Sequence, residues 1–279
     1  MKALPLLDAF DWPSLERVII LSPHLDDSAL SCGETLRALL GHVSRLSVTI
    51  ASGNPPSKGK KSRNRSAYAP PAQRRREDIA AMQSVDCDFV HLGFADCIYR
   101  RSPTTGDLIY RSPRTRFAKP SIDDSTHVEE LFLVLRRLVH NMGKVLLLSP
   151  LGIGYHVDHV ICAQLALRLA SSRVQLLFYE DFPYVVDPEL GQGFPDGPLA
   201  ALERLGCVPA ARYFVPVHAE KKAQLIQYYQ SQVPMLFSDV GQMEWALRRR
   251  RHKGEAVELF WKARLMRPQD SLQAEENGP

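Results

Sequence analysis

Between residues 17 and 179 the chain alternates short apolar, β-branched runs with amphipathic stretches of helical length, a pattern that few folds can accommodate. Residues 17–22 read as a strand, 29–42 as a helix and 46–51 as a second strand. Residues 77–84 then read as helical, 89–92 as extended, 128–142 as strongly helical, 144–149 as a buried strand, 159–170 as a helix and 174–179 as a strand. Strands joined through helices of this length need right-handed crossovers, which lay the strands parallel and cover both faces of the sheet.

The expected fold class is therefore α/β: a Rossmann-like, doubly wound, mainly parallel sheet with helices on both faces. The first strand is not followed by Gly-x-Gly-x-x-Gly, so the layout alone gives no reason to expect a dinucleotide. After residue 180 the pattern loosens through a Pro/Gly-rich stretch to about residue 208. A strand over 212–217 and a helix over 219–232 follow, with a further short helix and strand beyond them. Residues 1–265 are expected to form one domain, residues 266–279 a flexible tail, and no internal repeat is visible.

The net charge of +4 is concentrated, because residues 54–76 carry eight Lys or Arg and no acid. The remaining chain has 27 basic against 31 acidic residues, which argues against a basic face for nucleic acid. Residues 54–73, with four prolines and clustered cations, read as a mobile loop over a crevice or as a plain linker. The run 248–251 reads as a solvated helix face.

No apolar stretch approaches the ~20 residues needed to cross a bilayer, and no secretory signal is visible at the start of the chain. Cys32, Cys87, Cys97, Cys162 and Cys207 are odd in number and never spaced as Cys-x-x-Cys. They read as buried small apolar residues in a reducing, cytoplasmic compartment. Association into a homo-oligomer is left open.

Two motifs carry chemistry. Pro23-His24-Leu25-Asp26-Asp27-Ser28 directly follows the first strand and opens the first helix, at a carboxyl-end crevice where open α/β sheets bind ligands. Imidazole and carboxylate both suit Zn²⁺, and His24 and Asp27 on one turn can reach the same ion, which leaves Asp26 free to act on water. Gly152-Ile153-Gly154-Tyr155-His156-Val157-Asp158-His159 stands in the equivalent place after the 144–149 strand. Each motif taken alone could also be read as a helix cap. Their joint occurrence at two strand ends is what a three-ligand catalytic site with an open coordination position requires.

At these residues the chain resembles the PIG-L, or LmbE-like, zinc-dependent N-acetylglucosaminyl deacetylases, which pair an early His-Pro-Asp-Asp with a later His-x-Asp-His. The likeness runs from Val18 to about Gln232. Leu25 stands where the family usually has Pro, and Ser28 where Glu is common. The resemblance implies His24, Asp27 and His159 as ligands of Zn²⁺, with another divalent ion such as Fe²⁺ as the alternative. It makes Asp26 the general base, His156 the group facing the tetrahedral intermediate, and Asp158 the residue that orients His156. Either Asp26 or His156 returns a proton to the leaving amine.

The resemblance also assigns Arg74 and Asp96 to sugar hydroxyls, while Glu180 and Tyr184, following the 174–179 strand, are expected to line the pocket. Residues 222–232 match a late helix ending in Ser231-Gln232 and read as mainly packed. The implied substrate is the N-acetylglucosamine unit of a small glycoconjugate, as in natural-product tailoring. An amidase of thiol conjugates or other acyl amides, and a non-catalytic sugar-binding module, are the competing readings. The presence of Asp26 weighs against the last, since a binder has no use for a base.

Overall fold

The computed structural model describes residues 1–55, 69–187 and 197–267. The strands are β1 (Ala3–Pro5), β2 (Arg17–Ser22), β3 (Ser44–Thr49), β4 (Asp88–His91), β5 (Val145–Pro150), β6 (Val174–Tyr179), β7 (Cys207–Pro216), β8 (Arg251–His252) and β9 (Glu255–Leu265). The helices are α1 (Asp27–Ala38), α2 (Pro71–Ser84), α3 (Pro113–Arg116), α4 (Ser125–His140), α5 (Val157–Leu169), α6 (Pro198–Arg204), α7 (Ala219–Ile226), α8 (Val233–Leu236) and α9 (Val240–Leu247).

One sheet runs in the order β1-β7-β9-β6-β5-β2-β3-β4, with β8 pairing β9 beside it. β4, β3, β2, β5 and β6 are parallel throughout, as the alternation predicts. Successive residues of the central strands face opposite cores. Ile19, Leu21 and Leu147 pack with Leu135 of α4 and Ile161 and Leu165 of α5. Val18, Ile20, Leu146 and Leu148 pack with Leu36 of α1, Met82 of α2 and Leu225 of α7. Burial on both faces explains why these strands read as continuous apolar runs.

The other edge departs from the simple reading. β9 is antiparallel to both β6 and β7, and β1 adds parallel to β7. The expected 212–217 strand is the second half of β7, which begins at Cys207 and shifts register between Pro209 and Ala211. A proline in a strand pattern argues against strand, and here it sits at an irregularity, where it is tolerated.

Helix ends differ for similarly local reasons. α2 starts at Pro71, so residues 71–73 belong to this helix and not to the basic loop, of which residues 56–68 lie outside the described residues. Three consecutive arginines at 74–76 hide the apolar period of its first turns. α7 stops at Ile226, before the expected 232, and the turn that follows brings Tyr229 OH to Asp78, 2.8 Å away. Residues 268–279 of the expected tail lie outside the described residues, whereas Met266 N–H donates to Gly206 O at 2.8 Å.

β2 pairs β3 on one side and β5 on the other. Connections leave β2 and β5 in opposite directions here, so this is the switch point of the sheet, where the carboxyl ends open a crevice.

Candidate active site

Both motifs meet at that crevice. After β2, Ser22 Oγ donates to His24 O at 2.6 Å and accepts from Ser28 N–H at 3.1 Å, which fixes the turn. Asp26 occupies the cap position of α1 without a side-chain cap bond, and Asp27 Oδ2 accepts from His24 N–H at 2.7 Å. After β5, His156 rather than Asp158 caps α5, its Nδ1 accepting from Asp158 N–H at 3.4 Å. The carboxylates of both motifs are thus free of capping their own helices.

Three donor atoms form a nearly equilateral triangle. His24 Nδ1 lies 3.3 Å from Asp27 Oδ2 and 3.3 Å from His159 Nε2, and His159 Nε2 lies 3.5 Å from Asp27 Oδ2. Ordinary zinc–nitrogen lengths in a tetrahedron separate neighbouring donors by about 3.3 Å. The triangle therefore fits one divalent ion, and two of its three corners, His24 and Asp27, line the crevice. His156 stands slightly farther away, its ring nitrogen within 4.8 Å of those of His24 and His159.

The opposite nitrogen of each of these two histidines meets a carboxylate. His24 Nε2 lies 3.1 Å from Asp158 Oδ2, and His159 Nδ1 lies 2.6 Å from Asp181 Oδ1. Such backing fixes the tautomer that turns a lone pair toward a metal. Burial pushes the Asp27 carboxyl up, but His159 and His24 outweigh it and hold it below the usual carboxylate range. Burial raises Asp26 to about 6 against the opposing pull of Arg74, whose Nη2 is 3.4 Å away. Burial and the neighbouring His24 push the His156 imidazole well below its ordinary value, so the ring is neutral.

A family model described as PIG-L, GlcNAc-PI de-N-acetylase, matches residues 19–170, more than half of the chain. The chain belongs to the PIG-L family. The 2'-N-acetylparomamine deacetylase of Niallia circulans is 29% identical over 191 residues, which span 60% of this chain and 66% of that enzyme. The enzyme of the same description from Streptomyces fradiae is 26% identical over 220 residues, 77% of this chain and 73% of that one. Among solved structures, the zinc-inhibited form of teicoplanin deacetylase Orf2 shares the fold with a TM-score of 0.74 at 24% identity, over 90% of this chain and 99% of that one.

This PIG-L chain accommodates its two departures from the motif without disturbing the donors. Leu25 is buried and lines the cleft, and Ser28 Oγ pairs with Ser47 Oγ of β3 at 2.8 Å. The cleft measures about 460 Å³. Asp26, Arg74, Asp96, His156 and Tyr184 all line it. Asp96 Oδ1 also accepts from Ile98 N–H at 3.1 Å, and the Tyr184 ring meets His159 edge-on with centroids 5.8 Å apart.

One expectation needs correction and another needs refining. Glu180 does not line the cleft: it is buried, ion-paired with Arg250, and accepts from Trp261 Nε1 at 2.9 Å. Asp158 meets His156 through its backbone N–H, which donates to Nδ1 at 3.4 Å, while its carboxylate serves His24 and accepts from Cys97 N–H at 3.2 Å. The reason is that capping aims the Asp158 backbone, not its side chain, at His156.

Sequence reasoning missed Asp181 and Arg100. Asp181 Oδ2 accepts from Leu151 N–H at 3.1 Å and Ile153 N–H at 2.9 Å, so it shapes the loop after β5 as well as backing His159. Glu180 and Asp181 are adjacent acids at a strand end, and period two sends them to opposite sides without saying which faces the site. Arg100 lies in an irregular stretch, where no period points at it.

Proposed function

We propose that this PIG-L member is a zinc-dependent N-deacetylase that removes the acetyl group from an N-acetylglucosamine unit of a small glycoconjugate, in natural-product tailoring. The observation that carries this reading is the triangle of His24 Nδ1, Asp27 Oδ2 and His159 Nε2 with the Asp26 carboxylate beside it. Two nitrogens and one carboxylate oxygen, with an open position, form a donor set of the catalytic zinc type. The named deacetylases among its relatives support the amide as the bond attacked.

His24, Asp27 and His159 would hold the ion, which supplies Lewis acidity to the acetamide carbonyl and acidity to the attacking water. Asp26 takes the proton from that water. Buried beside Arg74, it is held in place and shielded from bulk solvent. His156 is neutral, and its Nδ1 accepts a backbone N–H, so the ring carries its proton on Nε2, which lies 3.8 Å from Cys97 Sγ and would turn from that weak acceptor to the oxygen that gains negative charge. The proton gathered by Asp26 is then available to the departing amine. Arg74 and Asp96 frame the cleft with a donor fork and an acceptor, a pairing suited to sugar hydroxyls. Tyr184 closes the side next to His159.

The five free, buried cysteines support a reducing, cytoplasmic setting, and no helix among the described residues is long and apolar enough to cross a membrane. The test is release of free amine and acetate from a panel of N-acetylglucosaminides, with zinc added or chelated. Metal-dependent release from at least one glycoside is expected; no release from any of them would sink the reading.

A further inference from the structure

We propose that Arg100 is a positioning residue for the metal ligand His24, acting through Asp158, and that it couples the 96–124 wall of the cleft to occupancy of the metal centre. The inference rests on the reading of His24 as a ligand.

Asp158 has to hold His24 with an oxygen that it shares. Its Oδ2 faces both His24 Nε2, at 3.1 Å, and Cys97 N–H, at 3.2 Å. A carboxylate held by one oxygen alone can still turn about its last bond, and the imidazole would turn with it. Arg100 supplies the second hold as an ion pair: its Nη2 lies 2.5 Å from Asp158 Oδ1, without the in-line geometry of a hydrogen bond.

Arg100 is itself held through its two Nη nitrogens, while its Nε is buried without a hydrogen-bond partner. It is 6% exposed, its Nη2 is 3.1 Å from Asp124 Oδ2, and its Nη1 donates to His127 Nε2 at 3.0 Å. Burial first, and then the Arg100 charge, pushes His127 down to about 4, so it stays a neutral acceptor. Tyr110 lies under the guanidinium at 5.2 Å, donates its hydroxyl to Asp124 at 3.0 Å and accepts from Ser121 N–H at 3.0 Å. Desolvating one cation and two carboxylates offsets most of their attraction. Net stability therefore explains this cluster poorly; the position it gives Asp158 explains it well.

The same stretch of chain supplies Asp96, Ile98, Tyr99, Pro113, Arg116 and Phe117 to the cleft. It reaches the metal side through Asp158, gripped by the Arg100 side chain and the Cys97 N–H, and through the backbone bridge of Phe117 with His156. An ion that immobilises His24 immobilises Asp158, and through Arg100 the wall. By linkage, a wall ordered by Arg100 must in turn favour the ion.

The experiment measures zinc affinity by chelator competition and amide exchange with and without zinc, on the full chain, for wild type, Arg100→Lys, Arg100→Met and Asp124→Asn. Arg100→Met should bind zinc about 10-fold more weakly, the low end of the range for losing a group directly behind a ligand, since Asp158 itself remains. Arg100→Lys should recover part of the loss, since it restores the charge but not the fork, and Asp124→Asn should show a smaller weakening. Zinc should slow exchange at residues 97–101 and 117 in wild type but not in Arg100→Met. A folded Arg100→Met with wild-type zinc affinity and wild-type protection overturns the proposal. Should Arg100→Met not fold, unchanged zinc affinity in both Arg100→Lys and Asp124→Asn overturns it equally. Failure of wild type to bind zinc in a way that His24→Ala abolishes would instead sink the ligand reading, and the two failures are distinguishable without any substrate.

Discussion

At the scale of single residues, the adjacent acids Glu180 and Asp181 make the sharpest comparison in the molecule. Asp181 binds His159 Nδ1 and two loop N–H groups, whereas Glu180 binds Arg250 and Trp261. Asp181→Asn should weaken zinc binding by about 10–100-fold, because His159 loses the carboxylate behind it. Glu180→Gln should leave zinc affinity unchanged and lower stability by about 1–3 kcal/mol through the weakened buried bonds. Chelator titration and denaturant unfolding of both variants separate the two roles. A second contrast divides base from ligand: Asp26→Asn should lose at least about 100-fold in turnover, a typical share for a positioned general base, while keeping its metal. His159→Ala should lose the metal itself, and equal metal content in the two variants would refute the division. Six polar residues of the two motifs were legible in the sequence because each cluster abuts a strand whose apolar run locates its end. Asp181 was not, since choosing between two neighbouring acids needs the strand's twist and partners.

Elements bring a different kind of dependence, most visible in α1, which opens with Asp27 and kinks at Cys32. At the kink, Glu258 of β9 reaches into the helix and accepts from Glu34 N–H and Thr35 N–H, both at 2.9 Å. Lys222 of α7 neutralises it at 2.7 Å, with both side chains almost wholly buried. The expectation of a packed 222–232 segment is met here by charge as well as by apolar contact. Ser231 adds to it by donating its backbone N–H and Oγ to Glu77 of α2, at 3.1 and 2.6 Å. Lys222→Met should cost about 3–5 kcal/mol, since it strands a buried carboxylate. Urea unfolding at neutral pH measures it, and a loss below 1 kcal/mol would show that solvent reaches Glu258. The Glu258–Lys222 pair was not readable in advance: the parallel strands announce themselves by local period, but β9 and its inward acid are set by pairing with residues far along the chain.

For the whole molecule, the proposed metal centre adds a further tie between parts already joined by the sheet, by helix packing and by bonds such as Tyr179 OH to Leu21 O. Its three donors come from the turn after β2 and the start of α5, and Asp181 behind them follows β6. An ion bound there would bridge the ends of β2 and β5, and an unfolded chain offers no such preformed triangle. Zinc should therefore stabilise the fold by RT ln(1 + [Zn]/Kd), about 4 kcal/mol when free zinc exceeds Kd a thousandfold. Chelation of wild type should lower the thermal midpoint accordingly and slow nothing once zinc is restored. Asp26→Asn should show the same zinc-dependent shift as wild type, because the base contributes no donor atom to the triangle. His159→Ala should show none, because it removes a corner. A midpoint indifferent to zinc in wild type would mean that the triangle is not the ion's binding site, and the deacetylase reading would then have to find its electrophile elsewhere in the cleft.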